Sequence, residues 1–253
     1  MKNKYLFALL YLLALSCGKA AVVEPEPEEP GPGEEFWIPD APQNAVEANV
    51  FAVEYFLSLP SEAETSSHIL NSKDKRPVLY LFGHVQYVPG KPNALVKTAV
   101  ASKCYPFFIQ SGETSFSGNG GTGFLTRYSI SSFDGECSGV PFGGPTVTLA
   151  LSAAEDITIY GCNASAPEQL ASVVESRSKA FYGDAVMLGV YDGDADRMKE
   201  FAEVKALGMR FDHISVGDRV IYTLVQPGYV NRGFETNRLG GTDYVKVLFE
   251  KLY

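Results

Sequence analysis

Asp192, Asp194 and Asp196 alternate along Asp192-Gly193-Asp194-Ala195-Asp196, and Glu203 follows eleven residues after Asp192. This is the acidic spacing of a calcium loop, in which alternate side chains meet one cation. Arg197 stands at the sixth position, where such a loop needs glycine, so Asp194 or Asp196 equally suits the N-cap of a following helix, where the dipole favours a carboxylate. Two more carboxylates sit in strand-like contexts: Asp212 in Met209–Val216 (MRFDHISV) and Asp243 in Gly241–Leu252 (GTDYVKVLFEKL). His213 adjoins Asp212, but neighbours in a strand face opposite sides, so the two are no dyad. His68, His84 and His213 are the only histidines. They lack H-x-x-x-H spacing and cysteine neighbours, which leaves a zinc site without support. No G-x-S-x-G serine elbow occurs. Ser117–Gly123 (SGNGGTG) lacks the Walker lysine and leads into a strand, so it reads as a hairpin loop, not a phosphate cradle.

A polar stretch, Asn231–Leu239 (NRGFETNRL), reads as a loop between the last two strands. Tyr229 and Phe234 offer aromatic faces beside Asn231, Arg232 and Arg238, a combination suited to a sugar or a peptide. An ordinary surface loop with one or two buried aromatics is the other reading.

The elements that must position these groups follow from periodicity. Glu47–Leu57, Pro77–Phe82, Tyr105–Gln110 and Phe124–Ser131 read as strands. Thr146–Ala150 and Asp156–Cys162 read as an antiparallel pair, followed by strands at Ala185–Val190, Met209–Val216, Val220–Val225 and Val245–Leu252. Ser61-Glu62-Ala63-Glu64 and Ser165-Ala166-Pro167-Glu168 are capping boxes that start helices. Asn93–Ser102 carries Leu95, Val96, Ala99 and Val100 at helical spacing, and Ala195–Leu207 forms a helix that stops at Gly208.

At the N-terminus, Lys2 and Lys4 precede the apolar run Tyr5–Leu15, which is too short to span a bilayer comfortably and reads as a secretory signal. Ala14-Leu15-Ser16-Cys17-Gly18 is similar to a bacterial lipobox, with Cys17 as the acylated residue. The alternative is an ordinary cleaved signal with an incidental cysteine. Residues 18–44 include EPEPEEPGPGEE, an acidic Pro-rich stalk that cannot bury apolar area. The expected organisation is residues 1–17 signal with lipobox, 18–44 stalk and 45–253 folded domain. The localisation expected is therefore the bacterial cell envelope, outer membrane or periplasmic face, with the lipid as membrane partner and a surface or periplasmic ligand unidentified. The formal charge of −9 argues against nonspecific binding of nucleic acid. Seven acidic and no basic groups fall in Glu24–Asp40, however, so the domain itself is only mildly acidic. Of the remaining cysteines, Cys104 and Cys137 flank neighbouring strands and are the pair expected to bridge in an exported chain, leaving Cys162 over.

Pro77–Val85, Gly121–Ile130, Ala185–Asp192 and Thr242-Asp243-Tyr244, in that order along the chain, resemble segments of the endonuclease/exonuclease/phosphatase family of metal-dependent phosphoesterases. Pro77–Val85 (PVLYLFGHV) is similar to its P-D-V-I-x-L-Q-E-V strand, and Gly121–Ile130 (GTGFLTRYSI) to its G-x-A-I-L-S-R-Y-P-I segment. Ala185–Asp192 (AVMLGVYD) stands in the place of the strand ending in G-D-F-N, and Thr242-Asp243-Tyr244 in the place of S-D-H. The resemblance implies an α/β (α+β) fold with two mixed β-sheets sandwiched between helices. It also implies phosphate-ester cleavage with Mg²⁺ or Mn²⁺, which needs carboxylate ligands. The family's functional residues, carried over, fall on His84 for the metal-binding Glu, Val190 and Asp192 for the G-D-F-N pair, and near Phe56 for the first-strand Asn. Asn163 lies where N-T-H-L would place a histidine, and Tyr244 stands at the final histidine. Asp212 and Asp243 remain as carboxylates, expected to converge at one end of the sheets. The expectation is a domain that keeps the scaffold, has lost the metal site and binds. A divergent cation-dependent phosphoesterase using Asp192, Asp212 and Asp243, or a structural or adhesive surface module, are the alternatives, because fold alone does not fix function.

Overall fold

The computed structural model describes residues 50–74, 76–86, 93–110, 120–134, 143–152, 155–162, 185–191 and 210–252. The chain divides into compact units at Met1–Phe36 and Trp37–Tyr253, and every described residue belongs to the second. Cys17, the stalk, Asp192, Asp194, Asp196, Cys137 and the helices expected after Ser165 and at Ala195–Leu207 lie outside the described residues.

Strand β1 (Val50–Phe56) shows why the fold has layers on both sides of a sheet. Phe51, Val53 and Tyr55 point one way and Ala52, Glu54 and Phe56 the other, and all six are buried, as in a central strand covered on both faces. Its neighbours are β2 (Pro77–Gln86), parallel, and β12 (Thr242–Lys251), antiparallel. With β3 (Tyr105–Gln110), β4 (Gly120–Thr126) and β11 (Tyr229–Leu239) they form a six-stranded sheet in the order β11-β12-β1-β2-β4-β3. The second sheet joins β5 (Ser129–Asp134), β6 (Gly143–Ser152), β7 (Glu155–Cys162), β8 (Ala185–Tyr191), β9 (Arg210–Val216) and β10 (Arg219–Val225) in the order β5-β6-β7-β8-β10-β9. Here only β7 and β8 are parallel. The inner faces of both sheets meet in one apolar cluster that includes Val53 and Val247 from the first and Leu149, Leu188 and Ile221 from the second, where each fully buried aliphatic chain contributes about 1.5–3 kcal/mol.

Helix α1 (Glu62–Asn71) begins where its capping box predicts, the Ser61 hydroxyl accepting the Glu64 N–H. Helix α2 (Ala94–Ser102) begins at Asn93, whose Oδ1 accepts the Leu95 N–H at 2.9 Å, and ends at Lys103 with φ 58°. Ile69, Leu95 and Ala99 of the two helices pack with Phe56, Tyr80 and Phe82 on the outer face of the first sheet. The fold is thus two mixed sheets face to face with helical cover, as expected.

Three expectations are corrected. The single strand expected over Phe124–Ser131 is two, β4 and β5, in different sheets. The chain crosses at Arg127-Tyr128, where buried Tyr128 enters the inter-sheet core and gives its N–H to Thr126 Oγ1, which itself donates to Val78 O at 2.7 Å. The glycine-rich hairpin reaches further into strand than expected, since Gly120–Gly123 pair within β4. The polar loop expected at Asn231–Leu239 is strand β11, paired with β12 over its length except for a bulge between Asn231 and Gly233. Its polarity comes from its place at the end of the sheet order, where one edge needs no apolar neighbour.

Cys104 is a free thiol in this structure, buried below α2 with its Sγ 3.6 Å from Ser102 O, so the bridge expected to Cys137 is not formed there. Burial pushes this thiol up from its usual range.

Candidate functional site

The ends of β1, β2 and β12 meet at one rim of the sandwich. Leu57 N donates to Asp243 O at 3.1 Å and Leu59 N to His84 O at 2.8 Å, and the Ser58 and Thr242 hydroxyls lie 3.1 Å apart. Gly83 is required here by close approach: a Cβ would stand 3.0 Å from Tyr55 Cζ and overlap its hydroxyl. The space that a side chain at position 83 would fill is occupied by the Tyr55 phenol.

His84 is half-buried, and its Nδ1 is shielded from solvent without a hydrogen-bond partner. Desolvation pushes the imidazole below its usual pKa, and the positive charge of Arg219 adds to this. Arg219 opens β10 next to Val220, the register partner of Tyr191 at the end of β8. Asp243 stands on β12, 3.7 Å from Arg238 Nε. Tyr244 is on the other face of the strand, stacked on Phe56 at 4.5 Å and edge-on to His68 at 5.4 Å. Burial, with the charges of Glu54 and Glu235, pushes its phenol up to about 12.

The described rim therefore offers one carboxylate, already facing a guanidinium, with an imidazole and a second guanidinium. Among the described residues no group of three or more His, Cys, Asp or Glu is placed to hold a metal. Mg²⁺ and Mn²⁺ need hard anionic oxygens to replace their waters, and these described donors do not fit either ion.

Asp212 lies elsewhere. It pairs in register with Thr223, sits 3.0 Å from Arg210 Nε, and is connected through Thr223 Oγ1 to Asn231, whose Nδ2 donates at 3.0 Å. Asn231 pairs with Phe249. Six residues of β12, roughly 20 Å of strand, separate Phe249 from Asp243, so the two carboxylates do not converge. As alternation requires, Asp212 and His213 face apart: Asp212 turns to Arg210, and His213 stacks on Phe211 at 5.6 Å.

Arg210, Asp212, His213, Asn231, Arg232 and Phe234 line one cavity of about 470 Å³. A second, of about 500 Å³, is lined by Ser215, Val216, Thr236, Asn237, Arg238 and Asp243. Tyr229 contributes to neither, being buried edge-on to Phe51 at 5.9 Å. Asn231 has a framing role as well: its Oδ1 accepts the Gly233 N–H at 2.7 Å and holds the bulge.

A polar cluster on the outer face of the first sheet was not expected. Buried Glu54 meets His68 Nε2 at 2.6 Å, inside a ring formed by Phe56, Tyr80 and Tyr244. Lys246, the register partner of Glu54, is held by Asp74 and lies 3.3 Å from Glu235. Despite the cost of desolvation, Arg76 and Lys246 together hold the Asp74 carboxyl well below the usual carboxylate range. The sequence signal was a lone Glu inside the apolar run VFAVEYF, since a buried carboxylate demands a partner.

No protein-family model matches the chain, and no curated protein does. Solved structures match in fold. An endonuclease/exonuclease/phosphatase family protein from Leptotrichia buccalis is similar at a TM-score of 0.57 and 10% identity, covering 79% of this chain and 100% of that one. A 3′-phosphatase from Neisseria, bound to product DNA hairpin, gives 0.56 at 11% identity over 80% and 100%. A 3′-5′ exonuclease from Neisseria meningitidis gives 0.53 at 10% over 80% and 100%.

Proposed function

We propose that this chain uses an endonuclease/exonuclease/phosphatase-like fold to bind rather than cleave, on the envelope of a bacterium, tethered through a lipid on Cys17 and the acidic stalk. The observation that carries the reading is the replacement of a metal-binding carboxylate by an imidazole at the rim. His84 stands where the resemblance puts a metal-binding carboxylate, with the Arg219 charge acting on it, and Asp243 is directed to Arg238. A neutral imidazole and guanidinium groups can hydrogen-bond a ligand directly, where carboxylates would first need a cation. With water excluded from Nδ1 and the Tyr55 phenol closing the space over Gly83, the rim is a contact surface for a ligand.

The purified chain is assayed on bis(p-nitrophenyl) phosphate and p-nitrophenyl phosphate with Mg²⁺, Mn²⁺ and Ca²⁺, alongside Asp243→Ala. The expected result is no turnover and no thermal stabilisation by any of the cations. Metal-dependent turnover abolished by Asp243→Ala overturns the reading in favour of a divergent phosphoesterase. The one observation in favour of that second reading is that Asp192 follows directly on Tyr191, whose register partner adjoins Arg219. Palmitate labelling in a bacterial host, lost in Cys17→Ser, tests the anchor.

A further inference from the structure

The end of the first sheet at which β1 begins differs in surface chemistry from the rim at which it ends. Strands β1 and β2 are parallel, and β3 shares their direction because β2 and β3 are both antiparallel to β4. Helices α1 and α2 return the chain from β1 to β2 and from β2 to β3, so the C-terminal ends of both lie where these strands start. Two contacts fix this arrangement: Arg127 Nη2 donates to Ile69 O and Ala52 N donates to Arg76 O, each at 2.8 Å. Strand β12 is antiparallel to β1 and finishes at the same end, with Glu250 opposite Val50.

Among the described residues, the large apolar side chains left exposed are Leu70, Val96, Val100 and Leu252. Leu70 lies in the last turn of α1, Val100 in the last turn of α2 with Val96 one turn before it, and Leu252 directly after β12. All four belong to this end of the sheet or to the helix face that leads to it. The outward stripe of α2 is Val96, Lys97, Val100 and Lys103, and Val100 is 75% exposed. A solvent-facing stripe is ordinarily polar throughout, and exposed apolar chains gathered in one place mark a contact with another molecule or a membrane. The charge of the same surface is basic. Lys97 follows Val96, Lys103 lies almost one turn beyond Val100, and Lys73 stands three residues after Leu70; all three are exposed. The described carboxylates at this end have other partners: Asp74 is held by Arg76 and Lys246, and Glu250 by Arg232. Helix α1 places its acidic residues, Glu62 and Glu64, in its first turn, towards the rim.

Apolar chains flanked by lysines fit an anionic bilayer surface, where the first enter the headgroup boundary and the ammonium groups stay among the phosphates. The chain also enters the described domain at this end, at Val50. Resting on the tethered reading above, we propose that this end of the domain docks on an anionic lipid surface through Leu70, Val96 and Val100 with Lys73, Lys97 and Lys103. The length of β1, roughly 20 Å, then separates the docked end from the rim, and His84 and Asp243 are held away from the lipid.

The test uses the full chain on vesicles of phosphatidylcholine and phosphatidylglycerol, with brominated phosphatidylcholine as the quencher. Trp37 is the lone tryptophan, so Trp37→Phe with Val100→Trp reports one end and Trp37→Phe with Asn237→Trp the other. Asn237 pairs with Tyr244, which lies opposite the last residue of β1. Quenching is expected at position 100 and not at position 237. Lys73→Glu with Lys97→Glu, both exposed changes, or vesicles lacking phosphatidylglycerol should lower the docked population about tenfold or more. No quenching at position 100, or equal quenching at both positions, overturns the proposal. Quenching indifferent to both the lysine changes and the lipid charge overturns the anionic surface as the occupant, and self-association off the vesicles that Val100→Asp abolishes assigns the face to a second copy instead. Flotation separates docking from tether. Chain that floats with the vesicles unquenched at position 100 keeps the tether and overturns the docked end, whereas Cys17→Ser chain still quenched there keeps the docked end without the lipid.

Discussion

The outer face of the first sheet and the rim of the same sheet both carry charged groups, yet they treat them in opposite ways. Under α1, Glu54, His68, Lys246, Asp74 and Arg76 each meet a counter-charge at close range. At the rim, His84 Nδ1 has no partner and Asp243 has an exposed one at 3.7 Å. Buried charges are tolerated only when paired, so the first group is part of the architecture. The second is held by backbone hydrogen bonds from Leu57 and Leu59 to the carbonyls of the residues that bear it, so its side chains are not what ties these strands together. The lesson is that charge density alone does not distinguish the two groups, whereas the presence or lack of close partners does.

The contrast can be broken by mutation. The largest effect is expected from His68→Ala, which strands a buried carboxylate at Glu54 and should cost about 3–5 kcal/mol, measured by urea denaturation. A cost under about 1 kcal/mol would mean that the outer cluster is as dispensable as the rim. Gly83→Ala should cost about 1–3 kcal/mol by overpacking against Tyr55, with part of the loss restored by Tyr55→Phe, and the same denaturation midpoints report it. Acid sharpens the comparison next. The Asp74 carboxyl is depressed in the folded state, so its contribution is fully present above the unfolded value of 3.8 and is lost as pH falls through the lower folded value. Melting temperature followed from pH 6 to pH 2 should therefore drop below about pH 4, and less steeply in Asp74→Asn. The smallest effect on stability is expected at the rim, where Arg238→Ala should shift it by less than about 1 kcal/mol; a larger thermal shift would place Arg238 with the architectural charges.

Much of the fold was legible because its signals are local. The Ser61 and Asn93 caps, the apolar runs of β1, β2, β8 and β10, and the β6–β7 hairpin all declare themselves within a few residues. Strand β11 did not, because its sequence is that of an edge: only Tyr229, Asn231, Phe234 and Leu239 face or approach a core cluster, and the bulge between Asn231 and Gly233 interrupts the alternation. The division between β4 and β5 was hidden for a different reason. Thr126 and Tyr128 are residues that any strand would accept, and only the hydrogen bond from Thr126 Oγ1 to Val78 O, 48 positions away, marks the crossing. Site legibility followed the same rule. Position 244 was singled out as the place of a missing histidine, and its tyrosine faces the outer cluster. Asp212 and Asp243 both looked like remnant carboxylates in sequence, and register alone places Asp243 at one end of β12 and Asp212, on β9, near the other. The Glu54–His68 pair joins residues from a strand and the next helix whose spacing matches no motif.

Strand β1, which opens the described domain, lies between β2 and the closing strand β12, with Val50 opposite Glu250 and Phe56 opposite Tyr244. One of the two ladders of the first strand is therefore made with residues 188 to 200 positions later in the chain. Contacts of such long sequence separation form slowly, because the chain entropy of closing the loop is lost before the contact repays it. A chain emerging from its N-terminus would keep β1 with an open apolar edge until β12 had appeared. An early stop before Thr242 removes that partner altogether and exposes the central strand to pairing with other chains. The central strand of this sheet is in that sense on loan until β12 arrives, whatever order the elements between them fold in.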